Sequence, residues 1–73
     1  MARTSFQQKL GKKVRELRKA KEWSQIKLEE VSNVDRTYIS DIERGVRNPS
    51  IKTLEKLAKA LKTSVSDLTN FDN

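Results

Sequence analysis

A chain of 73 residues is expected to be one small domain, near the lower limit at which a hydrophobic core sustains itself. It has no cysteine and no histidine, which excludes disulfides, ordinary zinc sites and Ser-His or Cys-His nucleophile pairs. Sixteen Lys and Arg against ten Asp and Glu leave +6 at pH 7, a balance that points to a polyanionic partner, nucleic acid or an anionic membrane.

The charge is unevenly spread. Residues 1–22 net +6, from Arg3, Lys9, Lys12, Lys13, Arg15, Arg18, Lys19 and Lys21 against Glu16 and Glu22. A first helix is predicted from Phe6 to Ala20. Ser5 caps it, and Gln8 completes a capping box. Phe6, Leu10, Val14 and Leu17 fall within about 80° on a helical wheel, with Lys12, Arg15 and Lys19 opposite. Lys13 intrudes on the apolar stripe, so its stem is expected to snorkel outward. A second helix runs from Gln25 to Ser32 after the cap Ser24, with Leu28 as its clearest core residue. Asn33 and Val34 form a tight turn, because Asn tolerates the left-handed conformation.

A third helix starts after the cap Asp35 and runs from Arg36 to Arg44, with Gly45 as its stop. Residues 46–49 are a loop. Ser50 caps a fourth helix, Ile51 to about Leu61, in which Ile51, Leu54, Leu57, Ala58 and Leu61 form one stripe and Lys52, Lys56 and Lys59 lie opposite. Ser64 and Asp67 give a second capping-box pattern for a short fifth helix carrying Val65 and Leu68. Positions 70–73 are expected to fray. The reading is one all-α domain over 1–73, five compact helices, with Trp23, Leu28, Ile39, Ile42, Leu54, Leu57 and Leu61 buried together.

Two helices of about eight residues flanking a short turn, from about Ser24 to Arg44, have the length pattern of a helix-turn-helix. The DNA major groove admits one helix, so the first of the pair must brace the second, which must present polar side chains outward. The third helix has that character. Ile39 and Ile42 point one way with Tyr38 beside Ile42, and Arg36, Thr37, Ser40, Asp41 and Arg44 cover the other side. Arg reads guanine O6 and N7 with a bidentate fork, Thr offers a hydroxyl and a methyl, and Ser is small enough to let the helix approach.

Residues 23–45, WSQIKLEEVSNVDRTYISDIERG, resemble the helix-turn-helix of the phage repressor and Cro superfamily, the XRE family. The resemblance extends from about Leu10 to Leu68 and takes in RNPS at 47–50 and LAKAL at 57–61. SNVDRTYIS at 32–40 and IER at 42–44 are similar, more narrowly, to controller proteins of restriction-modification systems. The resemblance implies that Arg36, Thr37 and Ser40 read bases. It implies that Gln25, Tyr38, Arg44, Arg47, Asn48, Ser50 and Lys52 face the DNA backbone. It also implies that Arg18 and Glu43 form a semi-buried ion pair tying the first helix to the third.

Five positions depart from the family pattern. Glu29 stands where small residues are usual, and suggests a more open contact between the second and third helices or an extra polar partner. Asn33 and Lys62 stand where Gly is usual; Lys62 costs a little local stability. Ile26 and Val31 lie where polar residues are commoner, and are either scattered surface apolars or the mark of a protein contact.

An enzyme is not expected. Asp41 and Glu43 do not face one another on a helix, and no phosphate-cradling Gly loop exists. No segment has the length of a signal-peptide core or a membrane span, so a cytosolic location is the default reading. A membrane-surface role for the basic first helix is disfavoured, because the fourth and fifth helices also carry stripes that a shared core would satisfy. The remaining alternative is an interaction or antitoxin module on the same fold.

The expected partners are double-stranded DNA, a second copy of the chain and, for an activator, RNA polymerase; no cofactor and no metal is expected. One recognition helix reads few base pairs, so a homodimer on a two-fold operator is expected, with recognition helices about 34 Å apart. Val65, Leu68 and Phe71 are the candidate dimer surface, unless Leu68 and Phe71 fold back onto the monomer core.

Overall fold

The computed structural model describes residues 5–71. It has five helices: α1 (Phe6–Ala20), α2 (Gln25–Ser32), α3 (Arg36–Glu43), α4 (Ile51–Ala60) and α5 (Val65–Leu68). No strand occurs among the described residues. Each helix starts where a side chain captures an N–H that has no partner within the helix. Ser5 and Gln8 exchange both bonds of a capping box. Ser24, Ser50 and Ser64 accept from the amides of Lys27, Thr53 and Asp67, and Asp35 accepts from Thr37 at 2.7 Å. At Ser64 this is the forward half of the expected box. α3 and α4 each close one residue early, with Arg44 and Leu61 as C-caps.

Between α2 and α3 the chain turns at Asn33, whose φ of 62° is left-handed. Glu22 and Lys62 take the same conformation, both with φ 59°.

All five helices send side chains into one core. Leu10 and Val14, Leu28, Ile39 and Ile42, Leu57, and Leu68 are fully buried. Trp23 packs against this core half-buried rather than within it. Two stripe residues differ from expectation: Ile51 is 63% exposed and Phe6 is 44% exposed. Both sit at the first position of their helices. Phe71, in the stretch expected to fray, meets Phe6 edge-on with ring centroids 5.5 Å apart, at the start of α1. Positions 72 and 73 of that expectation lie outside the described residues.

α1 packs across α3 at contact distance, and Gly11 is the reason. A Cβ there would lie 2.3 Å from the carbonyl oxygen of Ile42 and 2.8 Å from that of Glu43. Only a residue without a side chain permits this approach.

Candidate nucleic-acid interface

α3 is held from three directions. On its inner face Ile39 and Ile42 enter the core. At its N-terminus two carboxylates act: Asp35 caps the Thr37 amide, and Glu29 Oε2 accepts from the Arg36 amide at 3.2 Å. Glu29 is therefore an added polar partner for α3, which accounts for its place in the sequence. Negative charge at a helix N-terminus also favours the helix dipole.

Near its C-terminus Glu43 is clamped. Arg18 Nε donates to Oε2 at 2.7 Å and Nη2 to Oε1 at 2.9 Å, a bidentate fork with both side chains under 10% exposed. Arg18 Nη1 donates to the Trp23 carbonyl at 2.7 Å, so one guanidinium joins α1, the turn before α2, and α3. The hydrogen bond to Glu43 raises the Arg18 pKa above its ordinary value, which favours the charged guanidinium. Gln25 Nε2 adds a bond to Glu43 Oε1 at 3.1 Å.

What α3 turns outward is polar. Gln25, Arg36, Thr37, Ser40, Asp41 and Arg44 surround one depression of about 290 Å³. All three expected base-reading residues are among them. A smaller cleft of about 170 Å³ adjoins it through Gln25 and Arg44 and reaches Arg15 and the Arg18–Glu43 pair. Gln25, expected to touch phosphate, thus spends one amide N–H inside the protein, and has a second N–H and an oxygen to offer.

The loop after α3 is organised around Tyr38. Its hydroxyl accepts from the Ser50 amide at 3.2 Å, and the Arg47 guanidinium lies 3.8 Å from its ring centre, a stacked cation–π contact. Hydrogen bonding to Thr53 foremost, then to Ser50, with the Arg47 charge last, holds the phenol below its usual pKa despite partial burial. Ser50 uses both its amide and its hydroxyl internally, since Oγ caps α4 and meets Thr53 Oγ1 at 3.0 Å. Asn48 and Lys52 are exposed beside it.

Asp41 is the residue the sequence reading left without a role. It lines the base-reading depression and takes Arg44 Nη2 at 2.6 Å and Arg47 Nη1 at 3.8 Å. Its i,i+3 spacing to Arg44 was the available signal. The tie to Arg47 depends on how the loop folds back.

The three candidate dimer residues part company. Leu68 is fully buried in the core of the single chain, so its side chain is not available to a second copy. A four-residue helix has only one turn with which to hold itself to α1 and α4, and Leu68 is its inward anchor. Val65 and Phe71 are half-buried.

Among the described residues no group of three or more acidic side chains is placed to hold a metal ion. No described helix is long and apolar enough to cross a membrane.

The family described as Helix-turn-helix (HTH_3) matches residues 14–68. The chain is 50% identical over 62 residues to Control protein C.BamHI of Bacillus amyloliquefaciens, covering 84% of this chain and 76% of that one. The crystal structure of the restriction-modification controller protein C.AhdI from Aeromonas hydrophila superposes with a TM-score of 0.81 at 44% identity, over 85% of this chain and 94% of that one. The crystal structure of SinR, the master regulator for biofilm formation, in complex with DNA superposes with a TM-score of 0.77 at 40% identity, over 81% and 95%.

Proposed function

The chain belongs to the helix-turn-helix family, and on that premise we propose that it is a DNA-binding transcriptional regulator of the restriction-modification controller type, acting as a homodimer on a two-fold operator. The observation that carries the reading is the depression on α3. Gln25, Arg36, Thr37, Ser40 and Arg44 converge on one polar surface of a helix that is braced at both ends.

In this reading α3 enters the major groove. Arg36 offers a bidentate fork to guanine, Thr37 a hydroxyl and a methyl, and Ser40 lets the helix approach. Gln25, Arg44, Arg47, Asn48 and Lys52 face phosphates on either side, with the free amides at the start of α4 adding to them. Arg44 and Arg47 reach phosphate by leaving Asp41, an exposed pair that gives them up at little cost. Tyr38 contributes by holding Arg47 and the Ser50 amide in place. Val65 and Phe71 remain the candidate dimer contacts. An activator would also touch RNA polymerase.

The test is selection of bound duplexes from a random pool, followed by anisotropy titration of the selected site and its isolated half. The expected site has two related half-sites about 34 Å apart between centres. Equal affinity for a half-site and the full site would remove the dimer. Equal affinity for selected and random DNA would remove sequence reading altogether.

A further inference from the structure

A groove of about 520 Å³ runs between α2 and the end of α4, lined by Trp23, Val31, Lys56, Lys59, Ala60 and Lys62 among others. It shares no residue with the two clefts on the α3 side, and α3 contributes nothing to it.

The groove has two kinds of surface. Its floor is apolar, made by the half-buried indole of Trp23 and by Val31, which is 45% exposed. Its rim is cationic. Lys56, Lys59 and Lys62 line it, Lys21 Nζ lies 5.3 Å from the centre of the Trp23 ring, and no carboxylate is among the lining residues. Trp23 also packs against the core, and a purely solvated lysine face would need no exposed valine among its charges. Lys62 adds a second observation. It lines the groove while holding the left-handed conformation at φ 59°, where glycine would sit without strain.

We propose that this groove docks an acidic peptide segment of a partner protein, one that seats an aliphatic or aromatic side chain on Trp23 and Val31 and places carboxylates against the lysines. The surface is separate from the DNA-reading face, so both can be occupied together. Duplex DNA is a poorer occupant, because it presents charge with no apolar group to fill the floor.

Trp23 is the single tryptophan of the chain, so its emission reports on the groove directly. The full chain is titrated with a synthetic octapeptide of Glu and Asp around two central leucines. The expected result is a saturable change in emission, absent with the same peptide carrying Lys at the acidic positions. Lys56→Glu combined with Lys59→Glu should weaken binding at least tenfold, in keeping with reversal of charges at the contact. Lys62→Gly should weaken it several-fold while raising the melting temperature, because the same change relaxes the backbone. That opposite movement separates a binding role from a folding defect.

No saturable change at millimolar peptide overturns the proposal, as does an equal response from the charge-reversed variant. Displacement of the peptide by a random duplex would assign the groove to DNA. An emission change that follows protein concentration alone would assign it to a second copy of the chain. Should the protein bind no DNA at all, the function proposed above falls and the peptide titration still decides the groove.

Discussion

α3 carries two carboxylates, two residues apart, each paired with an arginine at almost the same distance: Glu43 meets Arg18 at 2.7 Å, and Asp41 meets Arg44 at 2.6 Å. Two steps along a helix place them on opposite faces, about 200° apart. The side chains of the first pair are 9% and 5% exposed, whereas in the second Arg44 is 63% and Asp41 24% exposed. Distance therefore says little about what each pair does. In a dry site, removing one partner strands a charge, whereas in water the loosened groups rehydrate. The buried pair fixes where α3 sits. The exposed pair keeps two arginines close to α3 and still releasable.

The sharpest way to break that contrast is to remove each carboxylate in turn. Glu43→Ala should lower unfolding free energy by about 3–5 kcal/mol in urea titrations, because Arg18 is left buried and unmatched. If Asp41→Ala costs as much, burial is not what divides the two pairs.

Next in size is Arg36→Ala, which touches neither pair. On the selected operator it should cost about 1–3 kcal/mol and relax discrimination at one base position, as read by anisotropy across single-base variants. An unchanged ratio of selected to random binding would make Arg36 a phosphate anchor.

Arg47→Ala tests the releasable side. It should weaken selected and random duplexes alike and reduce the salt slope of binding by about one unit. A loss confined to the selected site would show that Arg47 reads sequence instead.

The smallest expected effect sharpens the comparison from the other direction. Asp41→Asn should leave stability within about 0.5 kcal/mol. It should tighten binding to random DNA, because Arg44 and Arg47 lose their competitor. Weaker binding would mean that Asp41 itself accepts a hydrogen bond from the DNA, as an acidic side chain can from cytosine N4.

The five helix starts were legible because a cap is local: Ser5, Ser24, Asp35, Ser50 and Ser64 each act within three residues. Asn33 was legible for the same reason, since its conformation depends on the residue itself. The left-handed Glu22 carries no such mark and was not foreseen. A helical wheel gives the period of one helix but not the reach of its neighbours, so it runs the α4 stripe through the exposed Ile51, and the apolar end of the chain leaves Leu68 open between a partner and the core in which it is buried. The bond from the Arg36 amide to Glu29 spans seven residues across the turn, and only the packing of α2 on α3 brings the two together. The family resemblance supplied the Arg18–Glu43 pairing, which spans 25 positions and which no periodicity could have named.

Gly11 gives the molecule a mechanical datum. Because a methyl at that position would have to pass within 2.3 Å of the Ile42 oxygen, α1 and α3 meet backbone to backbone, a joint of zero thickness. Side-chain joints can be shimmed by a change of rotamer or a swap of Leu for Met, whereas this one has nothing to adjust. The height at which α3 stands above the body is thus set like a machined stop. Substitutions on the outer face of α3, at 36, 37 and 40, leave that stop untouched, so the depth at which the helix stands is independent of what its outer face carries.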